Sequence, residues 1–134
     1  MSQNRQLVRV LITICMLFLI GCSTVGPLCR SDERIRASIL RQTPIGCTSD
    51  QVRAFIKQHG WPIDYESRDR GFMKRRPGCN ETHSVEVGSS AIRCVLGDTR
   101  FVFFPFVTTK LAYWGFDQSG RLIDVWVDQE TDAL

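Results

Sequence analysis

Lys110-Leu111-Ala112-Tyr113-Trp114-Gly115-Phe116-Asp117-Gln118-Ser119-Gly120-Arg121-Leu122-Ile123-Asp124-Val125-Trp126-Val127 is the stretch that decides the fold. Its two arms are rich in β-branched and aromatic residues, and Asp117–Gly120 between them reads as a turn. A type I turn with Gly120 in the left-handed region makes the stretch a β-hairpin. In a regular ladder that turn pairs Phe116 with Leu122, Trp114 with Asp124 and Ala112 with Trp126. One face then carries Ala112, Trp114, Phe116, Leu122, Asp124 and Trp126. The other carries Leu111, Tyr113, Gly115, Ile123, Val125 and Val127. Both are apolar, so one is expected to pack on helices and the other to be covered by a loop or to bind something. Aromatic side chains are typical interface anchors. Trp114, Phe116, Leu122, Trp126 and Tyr113 are therefore the candidate protein-binding residues.

Upstream, the β pattern runs back to Val85, with strands expected over Ala91–Leu96 and Arg100–Phe104. Pro105 interrupts the aromatic run Phe101–Phe106. Residues 64–84 read as a polar, irregular loop. Its cations Arg68, Arg70, Lys74, Arg75 and Arg76 are interleaved with Glu66, Asp69 and Glu81, the pattern of a solvated segment.

Two helices come before the strands. Thr48-Ser49-Asp50-Gln51 is a capping box. Val52, Phe55 and Ile56 then recur at helical spacing, and Gly60 and Pro62 end the helix after His59. Asp32–Arg41 is the other helix, with acids in its first turn, Arg41 in its last, and Ile35 and Ile39 on one face. His59 fits a partner for the carbonyl end of its helix better than a base or ligand.

The N-terminus reads as an address. Arg5 and Arg9 precede the apolar run Val10–Ile20, which is too short for the about 20 residues of a spanning helix and is of signal-peptide length. The run ends in Leu19-Ile20-Gly21-Cys22, which resembles the lipobox of bacterial lipoproteins. That resemblance implies cleavage before Cys22, a diacylglycerol thioether on its thiol and acylation of its amine, palmitate among the acyl groups. One chain holds weakly, and two or three hold firmly at about 0.8 kcal/mol per buried CH₂. The expected organisation is a signal peptide over 1–21, a lipidated tether over 22–30 and a single α+β domain over 31–134.

The whole chain has 134 residues and a net charge of +3. Removing 1–21 takes two arginines and no acid, leaving 15 cations against 14 acids, or +1. A near-neutral domain lacks the basic surplus of a nucleic-acid binder. Of six cysteines, Cys29, Cys47, Cys79 and Cys94 remain beyond the signal and the lipidation site. An even number in an exported chain reads as two disulfides, and Cys29–Cys47 with Cys79–Cys94 closes the shortest loops. The chain has no C-x-x-C and no H-x-x-x-H, so the spacing gives zinc no support, and no metal or cofactor is expected. Only two histidines occur, no phosphate-binding glycine loop is present, and Asp124 and Asp128 read as solvated strand acids. No catalytic constellation emerges, and the expectation is a protein that is not an enzyme.

Gly46-Cys47-Thr48-Ser49-Asp50-Gln51-Val52, Gly60-Trp61-Pro62 and Phe116-Asp117-Gln118-Ser119-Gly120-Arg121-Leu122 resemble the motifs of the SmpA/OmlA lipoproteins, the BamE-like family. The chain departs from that family in its Cys47, where Met is usual, and in a helix about one turn longer. The resemblance implies two N-terminal helices packed on a three- to four-stranded antiparallel sheet, here disulfide-braced. It also implies an outer-membrane lipoprotein, lipid-anchored at Cys22 and facing the periplasm, whose partner is an envelope protein. The expected function is a non-catalytic protein-binding or structural module in outer-membrane protein assembly or envelope integrity. The alternative is an inhibitor or immunity-type lipoprotein that blocks an enzyme in the periplasm or at the surface.

Overall fold

The computed structural model describes residues 30–75, 84–100 and 106–133. The signal segment, Cys22, Cys29, Cys79 and most of the expected strand Arg100–Phe104 lie outside them. The described chain is α+β. Helices α1 (Asp32–Gln42) and α2 (Ser49–Gln58) precede strands β1 (Ile63–Ser67), β2 (Phe72–Arg75), β3 (Ser84–Val87), β4 (Ser90–Arg100), β5 (Phe106–Phe116) and β6 (Leu122–Ala133). The main sheet is antiparallel with order β1-β4-β5-β6, and β2 and β3 form a separate two-stranded ribbon. Residues 64–84 are thus not a loop throughout: β1 and β2 lie in them, too polar and too short to show an apolar rhythm. β6 likewise runs six residues past Val127 on a polar sequence held by its pairing with β5.

The helices end as their sequences dictate. Thr48 Oγ1 accepts from the Gln51 amide at 3.3 Å, and Gln51 Oε1 accepts from the Thr48 amide at 2.8 Å. Between the helices, Gly46 N–H donates to the Leu122 carbonyl and Leu122 N–H to the Cys47 carbonyl, both at 2.8 Å. This stitches the inter-helix turn to the start of β6 and fixes both helices over one sheet face. Ile35 and Ile39 of α1, and Val52, Phe55 and Ile56 of α2, meet Ile92, Cys94, Trp114, Phe116, Leu122, Val125 and Val127 there in one core. The Trp114 indole donates to Thr43 Oγ1 at 3.3 Å, so the ring is buried with its one polar atom paired. Lys110 is buried too, donating to Asp32 at 2.6 Å in the first turn of α1.

The turn is as expected: Gly120 has φ +74°, and Asp117 Oδ1 accepts from the amides of Ser119 and Arg121. The register beyond it is not. Phe116 opposes Leu122, but Gly115 opposes Asp124, and Ile123 has no opposite residue. This one-residue bulge reverses every later side chain of β6. Trp114 meets Val125 instead of Asp124, and Ala112 meets Val127 instead of Trp126. Val125 and Val127 enter the core, while Asp124 and Trp126 turn to the outer face. The physical gain is clear: valines replace a carboxylate and a large indole under the helices.

Cys47 and Cys94 are free thiols in the described residues, and their expected partners Cys29 and Cys79 lie outside them. Cys94 points into the core under the helices with no exposed surface. The β2–β3 ribbon packs on the opposite face of the sheet. Burial pushes the Cys94 thiol up to about 12.

Candidate protein-binding cleft

The outer face of the sheet is covered in part by the β2–β3 ribbon. Phe72 is buried with its ring 5.6 Å from that of Tyr113. A Cβ on Gly115 would lie 2.8 Å from the Phe72 ring and 2.9 Å from the Val87 carbonyl, so only glycine admits the ribbon this close. Lys74 donates to Asp124 at 2.7 Å and stands 5.1 Å over the Trp126 ring. Among the described residues, the β2–β3 ribbon therefore does what a covering loop would do over one half of the face.

Among the described residues, the other half is a cleft of about 480 Å³ between the ribbon and the sheet. Tyr65, Arg93 and Tyr113 form its floor, Met73 and Arg75 its ribbon wall, and Asp128 and Glu130 its β6 side. The floor is built around Arg93. Its Nε and Nη2 hold both oxygens of Asp64, at 3.1 and 2.7 Å. Its guanidinium lies 5.7 Å from the Tyr65 ring and 5.9 Å from the Tyr113 ring, between two aromatic faces. That fork–carboxylate pair holds the guanidinium above its ordinary value. Burial pushes the Tyr113 hydroxyl up, against the pull of Arg93, so it stays protonated at neutral pH.

Above Arg93 and Tyr113 the cleft is open at its lip. Met73 is 55 % exposed and Tyr65 47 %. Tyr, Arg and Met are the residue types that enrich protein interfaces. A second cavity, about 150 Å³ between the helices and β4, is lined by Phe55, Trp61 and Leu96 and has room for little more than one ring.

Of the five candidate binding residues, Tyr113 alone lines the cleft. Trp126 lies beside it, half-buried under Lys74, with its indole N–H unpaired among the described residues. Trp114, Phe116 and Leu122 are corrected: each is at most 1 % exposed, sealed under the helices with no surface for a partner. Sequence reasoning missed Tyr65 and Arg93. Tyr65 sits in a strand that reads as a loop, and Arg93 is one cation in a β segment with no motif around it.

No family model, no curated protein and no solved structure matches this chain. Among the described residues no group of His, Cys, Asp and Glu is placed to hold a metal ion, and no helix is long and apolar enough to cross a membrane.

Proposed function

We propose that this chain is a lipid-anchored envelope protein that acts without chemistry of its own, by docking a protein segment in the Tyr65–Arg93–Tyr113 cleft. The single observation behind the docking role is that floor: an arginine fixed by a carboxylate between two tyrosines, with Tyr65 and Met73 open at the lip. It offers a pre-ordered aromatic surface, which lowers the cost of ordering side chains on binding. The anchor is carried by Leu19-Ile20-Gly21-Cys22 at the end of a signal-length apolar run. The BamE-like motifs around the α2 cap and the β5–β6 turn favour a BamE-like fold, and with it a periplasm-facing role in outer-membrane protein assembly or envelope integrity.

The test joins both halves. A photo-crosslinking amino acid at Met73 in living cells should capture an envelope protein that mass spectrometry identifies reproducibly. Tyr65→Ala should abolish the product with protein levels unchanged. Cys22→Ala should leave the chain unprocessed or free of the membrane fraction. Wild-type fractionation of Cys22→Ala would refute the anchor, and crosslinking indifferent to Tyr65→Ala would refute the cleft.

A further inference from the structure

The occupant of this cleft can be narrowed by charge and spacing, an inference that rests on the docking reading above. The cations near the floor are already used: Arg93 is held by Asp64, and Lys74 by Asp124. The acids of the far side are not. Asp128 and Glu130 lie on the outer face of β6, opposite Leu111 and Thr109 of β5. Asp98 of β4 is also opposite Thr109 and accepts from its hydroxyl at 2.9 Å. Among the described residues none of the three carboxylates has a lysine or arginine within ion-pair distance. Arg75 on the opposite wall is the counterweight, and it leaves the lining acidic at its β6 side.

Placement excludes a compact cation as the occupant. The acids are strung along the sheet and do not converge on one point. Asp128 and Glu130 are two residues apart on one strand, so they repeat at roughly 6.6–6.8 Å. An extended peptide repeats its same-side residues at that same interval. The half-buried Tyr113 ring lines the cleft beside these acids, so an incoming side chain meets an apolar surface next to the carboxylates.

We infer that the cleft takes an extended basic segment of a partner protein, with Lys or Arg at alternate positions facing Asp128 and Glu130. The aliphatic stems of those residues lie against Tyr113 and Met73, and Arg75 sets the end at which no cation is tolerated.

The experiment uses the mature protein in non-ionic detergent and two blocked octapeptides, alternating Ser-Lys and alternating Ser-Glu, followed by calorimetric titration. The Lys peptide should bind at least roughly tenfold tighter than the Glu peptide, and more weakly as salt rises. Asp128→Asn with Glu130→Gln should cost the Lys peptide roughly tenfold, while Arg75→Gln should tighten it. Both sites are surface positions, and an unchanged circular dichroism spectrum confirms the fold. Equal binding of the two peptides, or no response to the double variant, overturns the basic-segment assignment. If the Met73 crosslink to a partner still depends on Tyr65, only the charge assignment falls. If that crosslink fails as well, the docking reading falls with it.

Discussion

Asp124 joins the two layers that the sheet separates. Its Oδ1 accepts from Arg36 of α1 at 2.7 Å, and its Oδ2 accepts from Lys74 of β2 at 2.7 Å. Arg36 also donates through Nε to the Val125 carbonyl at 2.6 Å, closing the edge of β6 there. One carboxylate on an edge strand thus ties a helix in front of the sheet to the ribbon behind it.

This carboxylate makes stability depend on acid pH. Burial works to raise its pKa, but the hydrogen bonds from Lys74 and Arg36 outweigh that and hold the group below the usual carboxylate range. The unfolded chain therefore takes the proton more readily than the folded one. The stabilisation is complete above the unfolded value of about 3.9 and is lost as pH falls through the folded value. Asp124→Asn should cost about 2 kcal/mol at pH 7. The gap between its urea midpoint and that of the wild type should narrow as pH falls below about 3.9, and a gap that stays constant down through the acid range would exclude the linkage.

Trp114 and Tyr65 should behave as opposites. Trp114→Ala removes the largest core side chain and should destabilise by about 3–5 kcal/mol, whatever it does to binding. Tyr65→Ala should change stability by less than about 0.5 kcal/mol and weaken the partner by about 2 kcal/mol or more. Urea unfolding beside crosslinking yield separates them. A Trp114→Ala protein of native stability would show that the aromatic on the helix side is not core.

Gly115→Ala tests how the ribbon sits. The added methyl meets the Phe72 ring and the Val87 carbonyl, so it should cost about 1–3 kcal/mol. The damage should be local: limited trypsin digestion should cut after Lys74 or Arg75 faster than in the wild type, while the helices stay protected. Gly115→Ala with Phe72→Ala should cost less than the sum of the two single variants, because one of the two colliding groups is gone.

The thiol of Cys94 should resist alkylation in the native state. It is sealed in the core, and burial has pushed it up to about 12. Iodoacetamide at pH 8 should leave it unlabelled until denaturant is added, whereupon it should react at the rate of an ordinary cysteine. Mass spectrometry reads both. Absence of label even after unfolding without reductant would mean that Cys94 is bonded to another cysteine.

What the sequence makes legible follows physical range. The capping box of α2 and the Asp117–Gly120 turn are decided by residues within four positions of one another, and both form as read. Trp114, Phe116 and Tyr113 are plainly β and keep the faces their alternation gives, but the faces of Asp124, Val125, Trp126 and Val127 depend on Ile123, whose bulge no local preference announces. The choice is made between layers, by valines fitting under α1 and α2 where Asp124 and Trp126 would not. β1 and β2 were hidden for a related reason: Asp64-Tyr65-Glu66 and Met73-Lys74-Arg75 are polar because one side of each is wet. The cleft is hidden with them, since its floor takes Tyr65, Arg93 and Tyr113 from three different strands.

The bulge at Ile123 also sets what kinds of genetic change this chain can absorb. Ile123 is 42 % exposed and opposes nothing, so many side chains would serve in its place. Losing the residue is accommodated by the same geometry. An in-frame deletion of that one codon would leave a regular ladder in which Asp124 still opposes Gly115 and Val125 still opposes Trp114, so every later side chain of β6 keeps its face. A scan of this hairpin should therefore find Ile123 among its most permissive positions for deletion as well as for substitution, whereas deleting Trp126 would turn Val127 outward and Asp128 into the core.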